Sequence, residues 1–172
     1  NKKKIVVYSD YDCDGIPGAV ILHDFLKAIN YDHFTVYIPD RHDEGYGLHR
    51  DAVESFIVQG TNLIITIDLG ITAIPEIAYA QESGVDVIVT DHHIPHEILP
   101  PAFAILNPKQ PGCEYPFKEL CGSGVMFKLI QALMTRTTVP VGFDKWLLDM
   151  VGLATLSDMV PLVGENRVLA YY

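Results

Sequence analysis

The sequence predicts an α/β protein with a doubly wound, mainly parallel sheet of about five strands flanked by helices. Two observations carry this prediction: short runs of β-branched apolar residues alternate with helical patterns, and acidic or imidazole residues repeatedly follow those runs. Strands joined by helices pair in parallel, and strands buried on both faces are continuously apolar. Because open sheets of this class place ligands at the carboxyl ends of their strands, the residues that follow the strands are the candidates for function.

The first half of the chain predicts three strands and two helices. In order, these are a strand over residues 4–9, a helix over 16–28, a strand over 34–38, a polar loop over 39–47, a helix over 50–59 and a strand over 63–67. Gly15 allows a sharp turn into the first helix, whose first turn tolerates Pro17. Asn30 and Gly60 are typical of helix ends.

The second half of the chain predicts two more strands and further helices. Thr72 is a candidate cap for a helix with apolar residues at helical spacing, and Gly84 ends that helix. The remaining elements are a strand over 85–90, a short strand over 103–106, a Pro-rich loop over 107–116, helices over 125–134 and 144–156, and the first turns of a helix over 167–172.

Length and composition predict one domain over residues 1–172, because a chain that is 49% hydrophobic at this length can bury one core but not two. Three scattered cysteines predict a reducing cytoplasm rather than a secreted disulfide framework. No apolar run is long enough for a membrane span, so we expect no membrane association. The chain begins without Met and ends in an incomplete helical pattern, so we expect a fragment of a longer protein.

The formal net charge of −10 argues against a domain that grips duplex nucleic acid through a basic surface. Two bound divalent cations would cancel about four of these charges, and they would do so where a phosphate docks. The overall charge is therefore compatible with a phosphodiester substrate, and a basic partner domain is expected elsewhere.

Carboxylates and imidazoles follow three of the predicted strands: Asp12 and Asp14 after the first, Asp68 after the third, and His92 within the run 91–93 after the fourth. Two carboxylates about 4 Å apart repel by roughly 4 kcal/mol at an effective dielectric constant of about 20, so a converging set must change its protonation or bind a cation. Oxygen ligands with one imidazole suit Mn²⁺, with Mg²⁺ as the alternative, whereas structural zinc sites use thiolates. A single acidic residue after a strand is usually a solvated turn or helix-cap residue, whereas the set together predicts a metal site.

Several motifs occur in order along the chain. They are residues 8–15 (YSDYDCDG), 38–48 (IPDRHDEGYGL), 65–70 (ITIDLG), 91–93 (DHH), 120–129 (LCGSGVMFKL) and 152–162 (GLATLSDMVPL). Together they resemble the DHH phosphoesterases, and most of all the RecJ branch of single-strand-specific 5′ to 3′ DNA exonucleases. The resemblance runs from residue 5 to residue 162, and the ordered set is far more specific than the tripeptide alone.

The resemblance implies a metal site with two Mn²⁺ ions. Asp12 and Asp14 would bind different ions, and Asp68 would bridge them. His92 and Asp158 would complete the ligands of the second ion. Asp158 is assigned through the resemblance alone, whereas the pattern of strands and carboxylates indicates the other four residues independently.

The same resemblance implies two-metal hydrolysis of phosphodiesters, with release of 5′-mononucleotides. His93 would contact the scissile phosphate, and Asp91 would hold an imidazole in its productive tautomer. Asp10 is expected as an outer partner of the site. The implied substrate is single-stranded DNA or an oligonucleotide, in DNA repair or recombination, with other repair and replication proteins as partners.

Two segments are candidates for substrate contacts. Gly122, Ser123 and Gly124 precede an apolar helix and form either a phosphate cradle or a tight turn. Arg41 and His42 lie in the polar loop and either hold phosphate or DNA or are solvated.

The sequence departs from the family pattern in two places. Tyr8 stands where the family-II pyrophosphatases have histidine, which predicts a leaner ligand set for the first ion and argues against pyrophosphatase activity. The C-terminal substrate-binding domain with its glycine-rich motif is absent from these 172 residues. Two alternatives stay open: a phosphoesterase for short oligonucleotides or nucleotide monoesters, and an inactive relative that acts as a replication scaffold.

Overall fold

A computed structural model describes residues 3–172, and its centre is a five-stranded sheet. The strands are β1 (Ile5–Ser9), β2 (Phe34–Tyr37), β3 (Leu63–Ile67), β4 (Asp86–Thr90) and β5 (Ala104–Leu106). They lie in the order β2-β1-β3-β4-β5, and every neighbouring pair is parallel. The predicted fold class and strand count are therefore confirmed, and each strand lies within one residue of its predicted bounds.

Helices connect the first four strands, a loop joins β4 to β5, and further helices follow β5. They are α1 (Gly15–Ala28), α2 (Arg50–Val58), α3 (Ile74–Glu82), α4 (Gly122–Met134), α5 (Leu148–Ser157) and α6 (Gly164–Leu169), with a short 3₁₀ helix over Phe143–Leu147. Asn30, Gly60 and Gly84 follow helices with positive φ, as predicted for helix ends. Within residues 3–172, no helix combines the length and the apolar character needed to cross a membrane.

Three helix boundaries differ from the prediction. Helix α4 begins at Gly122 rather than at residue 125, because the Cys121 side chain caps its first turn by accepting a hydrogen bond from the Gly124 amide. The helix predicted over 144–156 is divided, and its first turn is the 3₁₀ helix, which is common at helix ends. The last helix begins at Gly164, three residues before its predicted start, and ends at Leu169.

Both faces of the sheet are covered by helices. Val6 and Tyr8 of β1 point into a core formed with α2 and α3, whereas Val7 points into a core formed with α1, α4 and α5. All five residues of β1 are buried, which explains the continuous apolar run of this central strand. Each large apolar side chain buried in these cores contributes roughly 1.5–3 kcal/mol to folding.

The carboxyl ends of the central strands lie side by side. Ser9 of β1 pairs with Ile67 of β3, which pairs with Thr90 of β4. The chain leaves β1 toward β2 on one side and returns to β3 on the other, so the sheet reverses its winding between β1 and β3. The residues that directly follow these three strand ends are all acidic: Asp10, Asp68 and Asp91.

Candidate metal centre

The turn between β1 and α1 places Asp12 and Asp14 at the carboxyl edge of the sheet. The Asp12 side chain accepts hydrogen bonds of 2.8 Å from the backbone amides of Asp14 and Gly15. Gly15 approaches the end of β1 so closely that a Cβ atom would lie 2.5 Å from the carbonyl oxygen of Asp10. Only glycine therefore permits this turn, and the Cys13 side chain between the two aspartates is exposed.

The first turn of α4 holds the Asp14 carboxylate. The amides of Gly122 and Ser123 donate to the two carboxylate oxygens of Asp14, at 2.5 and 2.7 Å. The Ser123 hydroxyl donates to the backbone carbonyl oxygen of Asp14. The positive end of the α4 dipole also favours this negative charge. Gly122, Ser123 and Gly124 are all buried. These amides contact a candidate metal ligand, so they do not form an open cradle for phosphate.

Asp68 follows β3 with a backbone φ of 63°, which is uncommon for a residue other than glycine. Its side chain is 2% exposed and packs against Gly122, where a Cβ atom would lie 2.5 Å from Asp68 Oδ1. Within residues 3–172, Oδ1 has no hydrogen-bond donor. Burial, followed by the charges of Asp14 and Asp12, raises the pKa of Asp68 far above its usual range.

His92 points one ring nitrogen into the carboxylates. Its Nε2 lies 3.2 Å from Asp68 Oδ1 and 3.7 Å from both Asp14 Oδ2 and Asp158 Oδ2. Both ring nitrogens are buried, and neither has a hydrogen-bond partner in the described part of the chain. Burial lowers the pKa of His92, so the ring is held in the neutral form that ligates metals.

Three overlapping sets of side chains bring ligand atoms within 4.8 Å of one another. They are Asp10, Asp12 and Asp68; Asp14, His92 and Asp158; and Asp68, His92 and His93. The structure thus brings together all five predicted metal ligands, and it adds Asp10, which the sequence indicated only as an outer partner. Burial, followed by the charges of Asp14 and Asp12, raises the pKa of Asp158 to about 6.

The donor set fits a divalent cation. Of the lysines and arginines in residues 3–172, none forms an ion pair with these carboxylates. Repulsion among buried carboxylates is therefore left without a cationic side chain to balance it. Hard oxygen donors around one neutral imidazole suit an ion such as Mn²⁺ or Mg²⁺, and the unpartnered atoms of Asp68 and His92 are in place to bind it.

Asp91 is buried and orients His93. Its Oδ1 accepts hydrogen bonds from the His92 and His93 amides and lies 2.7 Å from His93 Nδ1, while its Oδ2 accepts one from the Ile71 amide. Burial opposes ionisation of Asp91, but the bonds from His93 outweigh it and lower the Asp91 pKa. The side-chain hydrogen bond with Asp91 in turn raises the pKa of His93.

Asn107 holds the backbone of His93, and it is not among the residues that the sequence indicated. Its side-chain amide donates to the His93 carbonyl oxygen at 2.8 Å, and it is 2% exposed. Asn107 directly follows β5, so the rule that selected the aspartates after the other strands also applies to it. The pattern of acidic residues after strands does not indicate it, because an amide side chain carries no charge.

The loop after β2 forms one rim of the centre. The Arg41 guanidinium lies 5.1 Å above the ring of Tyr11, which is next to Asp12 in the sequence. His42 is exposed, and in the described chain its side chain forms no hydrogen bond or ion pair. Tyr8 donates its hydroxyl to the Gly47 carbonyl oxygen and so braces this loop. The structure brings Arg41 to the rim, and it leaves His42 in solvent.

Comparisons with known proteins identify the family of this chain. Residues 4–155 match the family model described as DHH family, N-terminal domain. The chain is 48% identical over 170 residues to the single-stranded-DNA-specific exonuclease RecJ of Bacillus subtilis (strain 168), covering 98% of this chain and 21% of that protein. The chain therefore spans about a fifth of the length of this curated relative.

Two solved structures share the fold. One, described as exonuclease RecJ bound to manganese, has a TM-score of 0.85 and 38% identity, covering 97% of this chain and 42% of that one. The other, RecJ from Thermus thermophilus in complex with Mn²⁺, has a TM-score of 0.78 and 34% identity, covering 97% of this chain and 23% of that one. Since the family model matches most of its residues, this chain belongs to the DHH family.

Proposed function

We propose that this chain is the catalytic domain of a metal-dependent phosphodiesterase, specifically a single-strand-specific 5′ to 3′ DNA exonuclease that releases 5′-mononucleotides. The observation that carries the proposal is the convergence of carboxylates and a neutral imidazole at the β1–β3 switch point, without cationic partners in the described chain. The similarity to RecJ proteins, two of them solved with manganese, supports the same assignment.

The proposed ligands form two adjacent sets. Asp68 belongs to the first set, and its Oδ1 lies 3.2 Å from His92 Nε2 of the second. Asp10, Asp12 and Asp68 would hold one divalent cation, and Asp14, His92 and Asp158 would hold the other. Mn²⁺ is the proposed ion, and Mg²⁺ is the alternative. When bound, a pair of such cations stabilises charge on phosphoryl oxygens and lowers the pKa of water.

The chain's own residues would orient these ligands and the substrate. The Gly122 and Ser123 amides fix the rotamer of Asp14. Asp91 holds His93 through Nδ1 and leaves Nε2 for a phosphate oxygen. Because the bond to Asp91 favours the protonated ring, His93 would donate to that oxygen and stabilise its developing charge.

Arg41 is proposed to bind the DNA backbone, since its guanidinium reaches the rim and suits phosphate. The domain itself carries net negative charge, so affinity for single-stranded DNA would come largely from parts of the protein outside residues 1–172. We propose that these parts include a C-terminal substrate-binding domain. Repair or replication proteins would be partners of the whole protein.

The test is a product analysis with the full-length protein. With Mn²⁺, it should release 5′-mononucleotides from single-stranded DNA far faster than from duplex, and a chelator should stop the reaction. Asp68→Ala should abolish release while circular dichroism shows unchanged helix content. Equal rates on single strand and duplex would contradict the exonuclease assignment.

The same assay separates the two alternatives. Faster hydrolysis of dinucleotides or monoesters than of long single strands would identify a short-oligonucleotide phosphoesterase. A protein that held no stoichiometric Mn²⁺ would be a scaffold, an outcome that the intact ligand set argues against.

A further inference from the structure

One aromatic side chain contacts the His93 ring beside the candidate metal centre. Tyr46, in the loop between β2 and α2, lies edge-on to the His93 ring with 6.2 Å between ring centroids and 73° between planes. Although 54% of the residue is exposed, burial and then the charges of Asp91 and Asp68 raise the pKa of its hydroxyl. The edge-on contact with His93 places the Tyr46 ring at the edge of the candidate metal centre, and a phenol is protonated at neutral pH.

The backbone holds Tyr46 in this position. Gly45 and Gly47, on either side of it, have φ values of 80° and 107°, which favour glycine, and no atom lies near enough to demand glycine for space. The His49 ring contacts the Gly45 carbonyl oxygen at 3.1 Å, and the Tyr8 hydroxyl donates to that of Gly47 at 3.0 Å. Both turns that direct the side chain are thus anchored to other elements.

Glu44 anchors the rest of the loop. One of its carboxylate oxygens accepts a hydrogen bond from the Tyr37 hydroxyl of β2, and the other accepts one from the Asp40 amide at 2.8 Å. Tyr37 in turn stacks on Tyr8, with ring centroids 5.3 Å apart. The loop is therefore tied to the sheet at several points, and Tyr46 is positioned before any substrate arrives.

This anchoring does not serve the packing of Tyr46 itself. The ring is half in solvent, and its hydroxyl forms no hydrogen bond within residues 3–172. A protonated phenol at the edge of a cluster of carboxylates, with no acceptor among residues 3–172, can exchange its water for a ligand oxygen. The acceptor that would complete the arrangement is an anion at the centre.

We propose that Tyr46 binds substrate, with its hydroxyl donating a hydrogen bond to a non-bridging oxygen of the phosphate that lies beside His93. This role deepens the proposed function and rests on it, because it assigns a further donor to the same phosphate. A fixed donor of this kind stabilises negative charge without reorganisation.

The test compares Tyr46→Phe, which removes only the hydroxyl, with Tyr172→Phe, which removes a hydroxyl from an exposed tyrosine away from the loop. In full-length protein saturated with Mn²⁺, Tyr46→Phe should weaken binding of thymidine 5′-monophosphate about 10- to 100-fold in calorimetry. It should lower kcat/KM on single-stranded DNA by a similar factor. Its Mn²⁺ affinity and melting temperature should match wild type, and Tyr172→Phe should match wild type throughout.

Wild-type nucleotide affinity in Tyr46→Phe would overturn the proposal, and so would a parallel loss of Mn²⁺ affinity, which would mean that the hydroxyl acts through the metal site. Failure of the exonuclease function is distinguishable. A wild-type protein that binds Mn²⁺ and the nucleotide but cleaves no DNA would refute that function, while the nucleotide affinities would still decide the role of Tyr46. A wild-type protein that binds no nucleotide would refute both.

Discussion

Gly122→Ala should disable the metal centre, whereas Gly124→Ala, one half-turn further along α4, should not. A Cβ atom at Gly122 would lie 2.5 Å from Asp68 Oδ1 and 2.6 Å from Asp68 Cβ. Restoring ordinary contact at 3.4 Å requires the aspartate or the helix to move by roughly 0.9 Å. At Gly124 the nearest atom, Leu120 Cβ, is already 3.4 Å away.

Both substitutions should gain the same helix propensity, since alanine is more favourable than glycine in a helix by about 1 kcal/mol. Overpacking at Gly122 should outweigh that gain with a cost of roughly 1–3 kcal/mol. A displacement of about 1 Å in a positioned catalytic group costs up to 10²-fold in rate, so Mn²⁺-dependent hydrolysis should fall by about that factor.

The assay measures nucleotide release with Mn²⁺ and the melting temperature for both variants of the full-length protein. Gly124→Ala should retain activity within about threefold and melt at or above the wild-type temperature. Equal activity in Gly122→Ala and wild type, or equal losses in the two variants, would refute the claim that close contact between α4 and Asp68 sets the geometry of the centre.

Three further predictions test the electrostatics of the domain. Asp68→Asn should raise the melting temperature of the metal-free protein, because it removes the cost of burying and protonating a carboxyl group beside Asp14 and Asp12. It should also abolish the stabilisation that Mn²⁺ gives wild type, and an unchanged Mn²⁺-induced shift in melting would contradict this. Asp91→Ala leaves buried amides without an acceptor and should cost roughly 2–4 kcal/mol in urea unfolding, together with about 10²-fold in hydrolysis; unchanged unfolding would count against its anchoring role. Glu165 accepts hydrogen bonds from Lys128 and Tyr115, and these outweigh the effect of burial and lower the pKa of Glu165. The ionised Glu165 therefore stabilises the fold above its unfolded-state pKa of about 4.3, and this stabilisation is lost as the pH falls through the folded-state pKa. Glu165→Gln should therefore lower the melting temperature by about 2–4 °C at pH 7 and by less near pH 3, and a difference that grows on acidification would show that the carboxylate charge is not responsible.

The fold class and the carboxylates after the strands could be predicted because both follow from local pattern. A strand covered on both faces is mostly apolar, as residues 5–8 of β1 are, so the polar residues that follow mark the edge of the sheet. Parallel strands that end in register then bring Asp12, Asp14, Asp68 and His92 to one edge, whatever lies between them in the sequence. Family resemblance, rather than pattern, indicated Asp158.

Tertiary structure alone decided how those ligands are held. The contacts of Gly122 and Ser123 with Asp14 join residues 108 and 109 positions apart, and the local pattern of Gly122–Gly124 fits a phosphate cradle equally well. Likewise, nothing local to Gly45–Gly47 shows that Tyr46 faces His93. Periodicity records only whether each side chain faces core or solvent, whereas the partner that it meets depends on how distant segments pack. The sequence by itself therefore determined the sheet and the edge where chemistry occurs, and packing of α4 and the loop after β2 decided which groups orient the ligands.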